Sequence, residues 1–197
     1  MARTLGGDAN QVIGSGRKIL IGWIGGTPAS QSLPRELSLS KDYELLQRFV
    51  PELEQLRIQE EEDDNNNNDT GSLQIEIVAT FEWEDENAPS ETFGVSVLNG
   101  TQLIGVNCSG MYEESPCMAF AGDSMGPILP IQSNSVIVHI IVDHQIIESI
   151  FNNRTAMVTY AVPSSETQTA VSLFGTSSLK RFSMKTWKLR DANNKNN

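Results

Sequence analysis

The clearest alternation of apolar and polar positions begins at residue 73. "LQIEIVATFEW" places Leu73, Ile75, Ile77, Ala79 and Phe81 on one face and Gln74, Glu76 and Glu82 on the other. That is the period-two pattern of a half-buried strand. Short apolar runs follow at close intervals: "FGVSVL", "QLIGVNC", "CMAFA", "AMVTYAV" and "AVSLFG". "SVIVHIIVDHQIIESIF" reads as two strands folded about Asp143-His144-Gln145, a hairpin signal. "LKRFSMKTWKL" closes the series, with Leu179, Phe182, Met184, Thr186 and Lys188 spaced mostly by two. About eight strands with short turns and almost no helical period predict an all-β chain, an antiparallel β-sandwich of jelly-roll or concanavalin-like type.

The first part of the chain has a different texture. Residues 17–24 and 31–39 are strand-like, and Gly25-Gly26-Thr27-Pro28 between them is turn chemistry. The run Lys18 to Ile24 is apolar on both faces, and a lone hairpin of that kind is not stable in water, so it requires something to pack against. "PELEQLR", Pro51 to Arg57, predicts a short helix: Pro51 suits the first turn, and Leu53 with Leu56 gives a three-residue apolar step. "QEEEDDNNNNDTGS", residues 59–72, is polar and low in complexity and is expected to be a solvated linker or loop insertion. The expected organisation is therefore a leading segment over 1–58, an acidic Asn-rich linker over 59–72, a β-sandwich over 73–190 and a polar tail over 191–197. No internal repeat is evident.

Charge and leader signals narrow the function classes. The net charge is −11, which argues against binding a nucleic-acid backbone. Glu60, Glu61, Glu62, Asp63, Asp64 and Asp69 supply six of those negatives, leaving the rest of the chain at −5. No apolar run approaches the length of a membrane span. "MARTLGGDANQ" has no apolar core for a signal peptide; if the intact protein is secreted, its leader is expected upstream of this chain. Cys108 and Cys117 lie nine apart with Pro116 between them, a spacing compatible with a disulfide or with two free thiols. Asn68, Asn99, Asn107 and Asn153 each open an N-x-S/T tripeptide, and these candidate N-glycosylation sites favour a secretory route.

Candidate chemistry is sparse. Asp143 and Glu148 flank a turn and invite a glycosidase-style acid–base reading, but an Asp at a hairpin turn is turn chemistry and Glu148 is expected on the outward face of the returning strand. His139 sits inside an apolar strand and His144 in the turn, without Cys or His partners at ligand spacing. No nucleophile elbow is present, and Gly25-Gly26 lacks the spacing and following helix of a phosphate loop. Trp83, Tyr112 and Trp187 are candidate sugar-stacking platforms, each read first as core. No catalytic constellation, cofactor site or metal site is expected.

Several segments, in order, resemble glycoside hydrolase family 32, the invertases and fructan hydrolases. "GRKILIGWI" (16–24) and "QSLPREL" (31–37) are similar to the family's "GRRILWGWI" and "QSLPREL", which close the last blade of a five-bladed β-propeller. "FVPELEQLR" (49–57) resembles "PVPELEALR", the crossing to a C-terminal sandwich. "VDHQIIESIF" and "NNRTAMVTYAVP" (142–163) resemble "VDHSIVESF" and "GGRTVMTSRVYP", and the closing "LKRFSMKTWKL" resembles "ASLKVWQL". Pro28-Ala29-Ser30 shortens a loop that is usually longer in the family, and the acidic segment has no counterpart.

The resemblance implies that 1–58 is a remnant of the last propeller blade, with its neighbours in a missing N-terminal propeller half. It implies retaining hydrolysis of β-fructofuranosides such as sucrose or fructans, by an Asp nucleophile and a Glu acid in motifs of the types "NDPNG", "RDP" and "EC". None of these motifs is here, and "RDA" at 190–192 lies in the polar tail and receives no role. The expectation is a C-terminal fragment of an invertase-like hydrolase, secreted or vacuolar, inactive alone. The alternative is a free-standing sandwich that binds carbohydrate or a partner subunit without catalysis.

Overall fold

The computed structural model describes residues 3–5, 16–25, 29–62, 67–84, 89–108, 117–128 and 134–190. The chain divides into two compact units, residues 1–55 and 56–197.

The first unit is built from β1 (Arg3–Leu5), β2 (Lys18–Ile21), β3 (Trp23–Ile24), β4 (Ser30–Gln31), β5 (Arg35–Leu39) and β6 (Leu45–Phe49). Strands β1, β2, β5 and β6 form an antiparallel sheet in that order, and β3 pairs with β4. The apolar hairpin is therefore not alone: β1 and β6, which the hydrophobic pattern did not mark, flank it to give a four-stranded sheet. Ile24 is buried, whereas Trp23, Leu39, Tyr43 and Leu45 are exposed. Glu36 on β5 accepts hydrogen bonds from Arg17 and Arg48, and these arginines hold its carboxyl below the usual range. Of the predicted turn, residues 26–28 lie outside the described residues. The expected short helix forms over Pro51–Leu56 in the tighter 3-10 geometry.

The second unit contains β7 (Arg57–Glu62), β8 (Asn67–Asp69), β9 (Gln74–Glu82), β10 (Thr92–Val97), β11 (Gln102–Asn107), β12 (Met118–Ala121), β13 (Ser124–Pro127), β14 (Ser135–Asp143), β15 (Ile146–Phe151), β16 (Thr155–Tyr160), β17 (Ala170–Phe174) and β18 (Arg181–Leu189). One six-stranded sheet runs β16-β15-β14-β9-β18-β7 and the other β13-β12-β11-β10-β17-β8, with antiparallel pairing throughout. The alternation read from β9 is realised: Ile75, Ile77, Ala79 and Phe81 are buried between the sheets. Phe81 meets Phe93 of the opposite sheet at 5.2 Å between ring centroids. The hairpin about His144 forms, with His144 at φ 56°. Cys108 and Cys117 are joined in a disulfide at the base of the β11–β12 connection, and both are buried.

The acidic segment departs from expectation. It is not a linker between two bodies; the sandwich starts at residue 56, not 73. Residues 57–62 run as β7 along β18, and 67–69 run as β8 along β17. The segment passes from one sheet to the other and supplies an edge strand to each. An edge strand needs backbone pairing on one side only and faces water on the other, so a polar, charged sequence is compatible with it. Lys185 on β18 pairs with Glu60 at 3.0 Å. The gap is bridged from within: Asn68 on β8 donates its side-chain N–H to Thr186 Oγ1 on β18, at 2.9 Å. Residues 63–66 lie outside the described residues.

One cross-strand row on the outer face of the second sheet has an unusual composition. Phe120, Gly105, Gly94 and Phe174 are register neighbours on β12, β11, β10 and β17. Three strand spacings separate the two phenylalanines, roughly 14 Å, yet their ring centroids are 6.5 Å apart. The two glycines leave the room for the rings to lean together. The backbones also approach closely at this point. A Cβ on Gly94 would lie 2.2 Å from Ile104 O, and one on Gly105 would lie 2.2 Å from Phe93 O. Backbone atoms cannot retreat as a flexible side chain can, so Gly94→Ala and Gly105→Ala should each cost about 3 kcal/mol in urea unfolding. A loss below about 1 kcal/mol would mean that the strands separate easily here.

Candidate functional site

The densest set of interacting charged side chains in the sandwich lies on the outward face of the first sheet. Val158, Glu148, Ile141, Glu76, Trp187 and Glu60 follow one another across β16, β15, β14, β9, β18 and β7 in register. This face is turned away from the sandwich core, but its centre is not open: Glu76 is 1% exposed, Glu148 2% and Ile141 4%.

Glu76 sits on the central strand β9, between Ile75 and Ile77 in the chain. Arg57, the first residue of β7, grips it with two hydrogen bonds: Nε donates to Oε2 and Nη2 to Oε1, each at 2.7 Å. This is the forked geometry in which guanidinium and carboxylate bind most strongly. His139 Nε2 adds a contact to Oε1 at 2.6 Å. Burial by itself would push this carboxyl's pKa up; the hydrogen bonds from Arg57 and then His139 outweigh that and hold it at about 2. The Arg57 guanidinium carbon also lies over the Trp187 ring, 4.1 Å from its centroid, a cation–π contact.

These placements decide the sequence candidates. Asp143 and Glu148 do not form an acid–base pair at an open cleft. Asp143 is exposed at the hairpin turn, where Gln74 Nε2 donates to it at 3.0 Å and His144 Nδ1 contacts it at 2.9 Å. Glu148 is outward as expected, but buried. Glu76 has both oxygens engaged, so it neither offers nor takes a proton at the surface. Its geometry is that of a structural ion pair. Trp187 is half-buried, with a ring face covered by Arg57; Trp83 is 5% exposed and packs against Phe93, so it presents no platform; Tyr112 lies outside the described residues. Among the described residues, no three His, Cys, Asp or Glu side chains converge to hold a metal ion.

The partnership between Arg57 and Glu76 was not read from the sequence. Its one legible signal was a carboxylate placed mid-strand between two isoleucines, which needs a cation. Two open concavities lie among the described residues. One of about 410 Å³ is bordered by Glu84, Glu91, Ser178 and Lys180, and one of about 420 Å³ by Thr92, Asn107, Phe120 and Asp123. In the first, Ser178 Oγ donates to Glu91 at 2.8 Å.

Comparison with known proteins places this geometry. Residues 52–188 match the model of the family described as glycosyl hydrolases family 32 C terminal. Among solved structures, the chain is similar to sucrose-6-phosphate hydrolase from Lactobacillus gasseri, with TM-score 0.67 and 14% identity over 89% of this chain and 39% of that one. It is similar to exo-inulinase from Aspergillus awamori, with TM-score 0.67 and 17% identity over 89% and 41%. Fructan 1-exohydrolase IIa from Cichorium intybus gives TM-score 0.63 and 17% identity over 97% and 48%. The chain thus spans less than half the length of each. No curated protein matches it.

The Glu76 pair carries a pH signature. A carboxyl whose pKa is lowered from 4.5 to about 2 on folding stabilises the fold fully above pH 4.5 and loses that contribution as pH falls toward 2. Glu76→Gln should flatten this part of the acid-unfolding profile and cost about 3 kcal/mol at pH 7, because Arg57 is left without its counter-charge. Urea melts of both proteins from pH 7 to pH 2.5 measure it. Parallel profiles would show that Glu76 is not held ionised.

Proposed function

The chain belongs to glycoside hydrolase family 32, whose C-terminal domain it contains, and from that premise we propose that its sandwich supports the catalytic half of a glycosidase acting on β-fructofuranosides such as sucrose or fructans. The observation that carries this reading is the family match over residues 52–188, combined with the absence of the family's carboxylate motifs from the chain. Retaining hydrolysis needs two carboxyl groups about 5 Å apart across one sugar ring. Here Asp143 is held in a turn, Glu76 is locked to Arg57, and Glu148 is buried. The reacting groups belong to a propeller half, the module's partner, and the first unit supplies a four-stranded antiparallel sheet of the size of a propeller blade.

Covalent chemistry supports a compartment. The Cys108–Cys117 disulfide favours an oxidising environment, and the four N-x-S/T tripeptides agree with a secreted or vacuolar glycoprotein. A second reading, carbohydrate binding without catalysis, draws on the 420 Å³ concavity. Phe120 offers it an aromatic face, and Asn107, Asp123 and Thr92 offer it polar groups suited to sugar hydroxyls.

The purified 197-residue chain is expected to release no fructose from sucrose, inulin or levan. Steady release that is abolished by Asp143→Asn or Glu148→Gln would overturn the proposal. Saturable binding of these sugars by calorimetry, without release, would favour the second reading.

A further inference from the structure

The four N-x-S/T tripeptides are equivalent in sequence, but the fold treats them differently. Asn153 lies in the turn between β15 and β16, exposed, at φ 55°. Its neighbour Asn152 does the anchoring: the Asn152 side-chain oxygen accepts the N–H of Ile137, and its own N–H donates to Ile137 O, both at 2.9 Å. That leaves the Asn153 side chain without a bond to any described residue. Asn99 occupies the turn between β10 and β11, exposed, at φ 54°. It does have a structural bond, but through the oxygen, which accepts the N–H of Ala170 at 2.7 Å. The nitrogen, which is the atom an N-glycan is attached to, bonds to no described residue.

Asn68 is the reverse case. It sits on edge strand β8 opposite Val171, which is wholly buried, so it faces the space between the sheets. There its nitrogen donates to Thr186 Oγ1 of the other sheet, and Thr186 is 2% exposed. A sugar on that nitrogen would have to enter the sandwich.

We infer that Asn153 and Asn99 carry N-glycans and that Asn68 stays unmodified in the folded protein. The inference rests on the secretory reading above. In the step itself, the Asn amide nitrogen attacks the anomeric carbon of a lipid-pyrophosphate-linked oligosaccharide. A C–N bond forms, the C–O bond to the pyrophosphate breaks, and one amide proton is released. A glycan is bulky and hydrophilic and is accommodated only at the surface. Modification precedes folding, so the fold acts as a filter on which glycosylated chains persist.

The test is to secrete the full chain from a eukaryotic cell behind an added leader and isolate the folded monomer. Glycan release by peptide-N-glycosidase in heavy-oxygen water then marks each occupied Asn for peptide mapping. Labelled Asp is expected at positions 153 and 99, and unlabelled Asn at 68. Asn153→Gln should remove one glycan. So should Thr101→Ala, which breaks the second tripeptide and leaves the Asn99 bond to Ala170 intact. A label at 68 in folded protein, or no label at either turn, would overturn the inference. The added leader imposes the route, so occupancy tests the sorting alone. The secretory reading is checked separately by whether Cys108 and Cys117 are bonded in the cells that make the protein.

Discussion

A carboxylate with almost no exposure stays ionised only if a cation is brought to it, and Glu76 takes its cation from Arg57, at the start of the acidic segment. That requirement fixes where the sandwich begins. Arg57 must lie alongside β18 to reach across to β9, which sets the path of β7. Once β7 is docked, the chain is at the edge of one sheet and β8 takes the edge of the other. Trp187 packs on the guanidinium, and His139 completes the carboxylate's shell. The pair is thus placed where an edge strand, a central strand and a neighbouring strand have to agree in register.

The same edge is closed from inside by a neutral contact. Asn68 and Thr186 join the two sheets where few apolar side chains are available. Thr70 adds a tie within the second sheet, its hydroxyl donating to Thr169 O beside β17 at 2.9 Å. A segment too polar to build a core therefore still orders, because its backbone pairs with strands already present and its side chains meet specific partners. The entropy of ordering it is offset by ladder hydrogen bonds rather than by buried apolar area.

What was legible in the residues follows from this division. The strands that face the core announce themselves: Ile75, Ile77, Ala79 and Phe81 alternate, and the hairpin about His144 is bracketed by apolar runs. The short helix at Pro51 was equally plain. The edge strands were not, because their determinants lie in partners distant in sequence. β7 and β8 lie in or beside a segment that reads as a solvated linker or loop insertion by composition, and β13, which contains Gly126 and Pro127, carries no strand signal. Pro127 is tolerated there because β13 is an edge. For the candidate residues, the disulfide was one of two options until the fold brought the cysteines together. The outward position of Glu148 was foreseen, but its burial was not, since period-two reasoning assigns a face and says nothing of what the face meets.

In this sandwich the buried Glu76 carboxylate is matched by Arg57, which also covers a face of Trp187. The most direct measurement compares residues 56–197 with residues 73–197, by urea unfolding followed through circular dichroism. The longer chain should unfold in one cooperative β-sheet transition. The shorter, deprived of β7, β8 and Arg57, should lose about 3 kcal/mol or more, or fail to fold. Equal stability in the two would contradict the assignment of the acidic segment to the sandwich and return it to the role of a linker.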